Sequence, residues 1–204
     1  MNDLRQALTQ NNFDLSPADC DQLDQYLNLL SQWNQVFNLT AVRQRKDMIS
    51  LHVIDSLSVH PHMQGKHIAD IGTGAGLPGI PLAILFPQKH FYLIDSNSKK
   101  TRFLMQAKST LGLANVTVIH TRCEKFQAPH PFDVIVSRAF SSIAVMLNVT
   151  EHLLAHNGTF VAMKGVYPEE ELLEIPSRFV WQVHPLTLQG VDVKRHAVCI
   201  NRKN

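Results

Sequence analysis

Along the first third of the chain, apolar residues recur every three to four positions; beyond it they gather into short runs set between helical stretches. The segment "LSPADCDQLDQYLNLLSQWNQVFNL" puts Leu23, Tyr26, Leu27, Leu30, Trp33 and Phe37 along one helical face. Its start is legible too: Ser16 can cap, Pro17 suits the first helical position and Asp19 can reach back to the cap. A second helix is predicted over Asp47–Val59, ending before Pro61. From Lys66 the runs "HIADI", "FYLID", "VTVIH", "FDVIVS" and "TFVAMK" read as strands, followed by "VWQV" and "HAVCI". Between the first five, helices are predicted at Ile80–Phe86, Lys99–Leu111 and Ser142–Leu154, with a loop near Cys123–Gln127. This alternation predicts an α/β, Rossmann-like fold with a mainly parallel sheet of about seven strands, helices on both faces and an antiparallel final pair. An N-terminal helical extension, residues 1–64, is expected to pack on a Rossmann-like domain, residues 65–204.

The stretch "IADIGTGAGLPGIPLAILF" is an apolar strand, a glycine-rich turn and an apolar helix, and it admits two registers. Gly72, Gly74 and Gly76 follow the loop style of S-adenosylmethionine enzymes, whereas Gly74, Gly76 and Gly79 spell the dinucleotide fingerprint. Ligands of open parallel sheets bind beyond the carboxyl ends of the strands, so the loop begins where "HIADI" stops, at Gly72. These glycines let the backbone turn sharply and approach a cofactor without an intervening side chain; Gly79 then serves helix packing or the turn at Pro78. Asp95, at the end of the next strand, is placed either to accept the hydroxyl hydrogens of a cofactor ribose or to act as a helix cap. A dinucleotide enzyme needs a second half and a substrate domain. Residues 65–204 suffice for one sheet, which favours S-adenosyl-L-methionine.

Composition excludes more than it selects. Hydrophobic residues make up 45% and charged residues 18%, with a net charge of +2, so the chain is expected to be globular and a nucleic-acid partner needs basic residues grouped on one face. Three widely spaced cysteines with no CxxC read as reduced thiols of a cytoplasmic protein. No signal peptide or membrane-spanning run is visible. The eleven histidines, His60 and His62 among them, form no metal set by spacing, and no metal is expected.

The strings "WNQVFNLTAVR", "HVIDSLSV", "DIGTGAGLPGIPLAI", "FYLIDSNSKKTRFL", "RCEKF", "FDVIVSRAF", "MKG" and "KRHAVCI" together resemble the bacterial small-subunit ribosomal-RNA methyltransferase G family, also called glucose-inhibited division protein B. The resemblance is collinear over nearly the whole chain, including the N-terminal helices. It implies methylation of guanine N7 at nucleotide 527 of 16S ribosomal RNA, with S-adenosyl-L-methionine as donor and the small subunit or its assembly intermediate as partner. No obligate protein partner and no membrane are expected. It further implies cofactor contacts at Gly72, Leu77, Cys123, Glu124 and Arg138, and places the family's basic positions on Arg122 and Arg195. Ala75 stands where relatives often carry proline.

Guanine N7 has an in-plane lone pair and no proton to lose, so no general base is expected and catalysis rests on alignment and charge stabilisation. The resemblance-implied Arg138 then positions the methionine carboxylate or donates to guanine O6, or else forms a structural ion pair. Phe140 either stacks on the target base or belongs to the core. Glu124 orients the adenosine or is a solvated acid. His52 and Asp55 share a helix face and either tie the N-terminal helices to the sheet or assist substrate binding. Basic groups at Arg43-Arg45-Lys46, Lys99-Lys100-Arg102, Arg122-Lys125 and Lys194-Arg195 are candidates for an RNA-facing surface, with Lys100, Arg122 and Arg195 as the candidate RNA contacts. Two other readings remain open: a small NAD(P)-dependent oxidoreductase, and a non-catalytic RNA- or ribosome-binding module with this fold.

Overall fold

The computed structural model describes residues 3–138, 140–190 and 193–203. Helix α1 spans Asp3–Gln10 and α2 spans Pro17–Phe37. The expected capping box closes α2: Ser16 Oγ accepts the Asp19 N–H at 3.2 Å while the Ser16 N–H donates to the Asp19 carboxylate at 3.2 Å. Asn38, in the left-handed region at φ 48°, ends the helix. Leu23, Tyr26, Leu27 and Leu30 are buried on the predicted face, whereas Trp33 is only half-buried and Phe37 is exposed.

The second predicted helix is not one α-helix. It comprises α3 (Arg45–Met48), a π-helical stretch at Ile49–Ile54 and α4 (Asp55–Leu57), then a separate 3-10 turn at His60–His62. The wide turn falls where the buried His52 ring bonds Thr40 and where the Leu51 carbonyl accepts from Arg138, so local packing overrides the regular repeat.

Seven strands follow: β1 (His67–Ile71), β2 (His90–Asp95), β3 (Val116–His120), β4 (Phe132–Ser137), β5 (Leu154–Lys164), β6 (Phe179–Leu186) and β7 (Arg195–Arg202). Their order is β3-β2-β1-β4-β5-β7-β6. The first five are parallel, and β7 inserts antiparallel to both β5 and β6. The central strands are mostly apolar because helices cover both faces, with Asp70 on β1 and Ser137 on β4 as buried polar exceptions. Between them run α5 (Gly79–Leu85), α6 (Ser98–Leu111), α7 (Ile143–Thr150) and α8 (Glu169–Leu173). Three details depart from the sequence expectation. Cys123–Lys125 forms a 3-10 turn; β5 begins at Leu154 rather than Thr159, with a register shift against β4; and α8 precedes β6.

One apolar cluster lies against α5, α6 and the N-terminal helices, another against α7 on the opposite face. The first runs without interruption from Leu4 to Ala197, across the expected boundary at residue 64. Among the described residues no helix is long and apolar enough to cross a membrane. The order of strands reverses between β1 and β4, and the loops leaving these neighbours part to opposite sides and open a crevice. Helix α2 reaches that crevice through the fully buried Tyr26, whose hydroxyl donates to the Ala75 carbonyl at 2.7 Å. Tyr26→Phe leaves that carbonyl without its donor and should cost about 1–3 kcal/mol in urea unfolding, with the fold retained by circular dichroism.

Candidate active site

β1 stops at Ile71, and the chain turns through three left-handed glycines, Gly72 (φ 66°), Gly74 (φ 63°) and Gly76 (φ 87°). Their surroundings differ. A Cβ on Gly72 would meet nothing within 4 Å, and one on Gly74 only the Gly72 carbonyl at 3.9 Å. A Cβ on Gly76 would strike Ile80 and Leu104, and one on Gly79 would strike Leu93 and the Asp70 carboxylate. Thus Gly72 and Gly74 present bare backbone to open space, while Gly76 and Gly79 allow α5 and α6 to close on the sheet. In a dinucleotide fingerprint the second glycine faces the pyrophosphate; in the Gly74/Gly76/Gly79 register that glycine is Gly76, which faces the core.

The loop is held from both sides. Asp95, at the end of β2, accepts the Gly74 N–H at 3.0 Å on one oxygen and the Asn97 N–H at 2.8 Å on the other. Asn97, not Asp95, caps α6. Each Asp95 oxygen keeps a second lone pair for a ligand. Beneath the loop, the fully buried Asp70 accepts from Thr73 Oγ1 at 2.6 Å and the Gly79 N–H at 2.8 Å through one oxygen; its other oxygen finds no hydrogen-bond partner among the described residues.

A cleft of about 210 Å³ opens over these groups, and Gly72, Asp95, Arg122, Cys123, Glu124 and Phe140 all line it. Ser96 and Thr121 also line it and carried no recognisable sequence signal beyond following strand ends. The Cys123 thiol donates to Glu124 at 3.4 Å, and burial followed by this bond pushes its pKa up to about 11. It is therefore a protonated wall of the cleft, not a thiolate nucleophile. Glu124 is exposed, and its own backbone N–H and the thiol hold its carboxyl below the usual range. Phe140 is half-buried against the second apolar cluster while presenting part of its surface to the cleft. Lys100 stands outside the lining, 3.8 Å from Asp95. The Leu77 side chain is buried in the core, leaving only backbone for any ligand contact.

Arg138 turns the other way. It lines a second cavity of about 340 Å³ with His52, Asp55, Lys164 and Arg195, whereas Phe140 lines the first. Its Nη1 donates to the Leu51 carbonyl at 3.0 Å and lies 3.4 Å from Asp55. Arg195 Nε donates to the other Asp55 oxygen at 2.7 Å. Asp55 thus ties the N-terminal helices to the sheet, whereas His52 bonds Thr40 at 2.9 Å and takes no part in a His-Asp pair. Of the other basic groups, Arg43 bonds Asn38, Arg45 pairs with Asp24, and Lys46 is exposed.

The chain matches a family model described as rRNA small subunit methyltransferase G over residues 19–198. It is 48% identical to the ribosomal RNA small subunit methyltransferase G of Pseudomonas syringae pv. syringae, covering 93% of this chain and 89% of the relative. Against the Marinobacter nauticus protein of the same name the identity is 47%, covering 98% and 94%. Among solved structures, TrmN from Thermus thermophilus superposes with a TM-score of 0.60 at 16% identity, over 83% of this chain and 53% of that one. A SAM-dependent methyltransferase from Aquifex aeolicus gives 0.56 at 20%, over 74% and 90%. At such identities the structures establish a shared fold.

Two buried groups beside the site titrate with opposite sign. Burial lifts Asp70 to about 6, so folding favours its neutral form, and that contribution is lost as pH rises from 3.8 through about 6. Burial, then Arg138, lowers His52 to about 4, so its contribution is lost as pH falls from 6.5 through about 4. Integrated over its window, each contribution is on the order of 3 kcal/mol, and the two oppose one another. Urea midpoints measured across this window should show Asp70→Asn losing stability toward acid and His52→Gln losing it toward neutrality, each relative to the unsubstituted chain. Three parallel profiles would refute the assignment.

Proposed function

The chain belongs to the rRNA small subunit methyltransferase G family, and we propose that it transfers a methyl group from S-adenosyl-L-methionine to guanine N7 at nucleotide 527 of 16S ribosomal RNA. The observation that carries the cofactor half is the bare backbone at Gly72 and Gly74, where a Cβ would enter open space, with Gly72 and the Asp95 carboxylate lining one cleft. S-adenosyl-L-methionine supplies a methyl group on a sulfonium, an electrophile that an unprotonated nitrogen lone pair can attack directly.

The residues have the tasks this chemistry leaves to a protein. Gly72 and Gly74 admit the ligand against the backbone, and Asp95, already oriented by the Gly74 and Asn97 amides, accepts from ribose hydroxyls. Glu124 and the Cys123 backbone border the adenosine, and Phe140 covers the cleft beside the target base. The neighbouring cavity receives the substrate side. There Arg138 and Arg195 keep guanidinium donors beyond those committed to Asp55 and to the Leu51 and Lys194 carbonyls, suited to guanine O6 or phosphate. Arg122 and Lys100 extend the positive rim toward RNA of the small subunit or its assembly intermediate. No side chain has to remove a proton, so alignment and water exclusion supply the acceleration.

Radiolabelled methyl transfer to unmethylated small subunits, followed by mapping of the modified nucleotide, tests this reading. Label at guanine N7 is expected; a particle left unlabelled while S-adenosylhomocysteine binds would favour the non-catalytic module. Saturable binding of NAD(P) in place of S-adenosylhomocysteine would favour the oxidoreductase. Gly74→Val, which puts a branched side chain at a left-handed position, should abolish S-adenosylhomocysteine binding by calorimetry. Arg195→Ala should keep that binding and lower methylation roughly tenfold or more.

A further inference from the structure

We propose that His62, His184 and Cys199 form a zinc-class metal site that fastens the N-terminal helices to the antiparallel edge of the sheet. The three residues are far apart in sequence and converge through the fold. His62 closes the 3-10 turn before β1, His184 lies on β6 and Cys199 on β7. In the β6–β7 register His184 faces Ala197 and Gln182 faces Cys199, so His184 and Cys199 are diagonal neighbours on one sheet face. His62 drops onto that face from the extension.

The geometry is close to a ligand set. Cys199 Sγ lies 3.3 Å from His62 Nδ1, the His62 and His184 rings are 4.6 Å apart between centroids, and the three ligand atoms all lie within 4.8 Å of one another. Zinc bonds near 2.0–2.1 Å to nitrogen and 2.3 Å to sulfur place tetrahedral ligands about 3.3–3.6 Å apart. The Cys199–His62 pair, at 3.3 Å, is within about 0.3 Å of the sulfur–nitrogen spacing, and an imidazole rotation brings in the other ring. Two imidazoles with one thiolate suit a borderline-soft divalent ion and not a hard oxygen-seeking one. All three side chains are half-buried, which leaves room for water as a fourth ligand. Binding is a ligand exchange without redox change: the ion displaces the Cys199 thiol proton to solvent and gives up bound water. None of the three residues lines either cavity of the active site, so the site is separate from methyl transfer.

The test uses the full-length chain, stripped with a chelator and titrated with Co²⁺ alone. One equivalent should produce a thiolate-to-cobalt charge-transfer band in the near ultraviolet, which Zn²⁺ displaces. Cys199→Ser should lose the band. His184→Gln should weaken Zn²⁺ binding by at least the roughly 10–100-fold that loss of a supporting partner alone costs. Cys20→Ser, at a thiol outside both cavities, should keep the band. Zn²⁺ should also raise the thermal unfolding midpoint of the unsubstituted chain and not of Cys199→Ser. A cobalt spectrum without the thiolate band, or a band that survives Cys199→Ser, overturns the site and leaves a thiol-to-imidazole hydrogen bond only. Metal binding with no rise in midpoint overturns the fastening role.

Discussion

A single buried carboxylate, Asp55, organises the second cavity of this molecule. It is 2% exposed and lies between two guanidinium groups, Arg138 beyond β4 and Arg195 at the start of β7. A carboxylate in such a place is costly to desolvate, and the two guanidinium groups together offset that cost. The arrangement therefore fixes three segments at once: the irregular helix that carries Asp55, the loop after β4, and the inserted strand. It also decides where Arg138 points. An arginine committed to Asp55 and to the Leu51 carbonyl stands in the second cavity, and the glycine-lined cleft is left to neutral and acidic groups with Arg122 at its rim.

The glycine loop shows the same economy beside the first cleft. Four glycines within eight residues read as one motif, yet they divide into two that face open space and two that let helices close on the sheet. Asp70 and Asp95 link the halves: one anchors Thr73 and the Gly79 amide from below, the other holds the Gly74 amide from the end of β2. The loop's shape is consequently set by neighbouring strands before any ligand arrives, which is the preorganisation that an alignment-driven reaction needs.

Much of this was legible in the chain because it depends on local signals. The capping box at Ser16 and Asp19, the apolar strands and the end of β1 at Ile71 are short-range features, and each stands where the pattern put it. What the pattern missed depends on contacts between distant segments. The helix expected over Asp47–Val59 is unwound by partners at Thr40 and Arg138 that no periodicity reveals. Leu154 joins β5 early because Phe132 pairs with it, and the 3-10 turn at Cys123 has no repeat long enough to register. The direction of Arg138, and the meeting of His62 with His184 and Cys199, are likewise properties of the assembled sheet. Histidines judged by spacing alone look scattered, and only topology brings these two together.

The bond from Tyr26 to the Ala75 carbonyl has one more consequence. It makes residue 64 a boundary along the chain but not in energy. A fragment beginning at residue 65 would lose a buried hydrogen-bond donor to its own glycine loop, along with the apolar cover over α5 and α6. The helices before β1 are thus better regarded as the missing wall of the nucleotide fold than as an appendage to it. By thermodynamic reciprocity, whatever orders the loop around Ala75 also tightens the hold on α2.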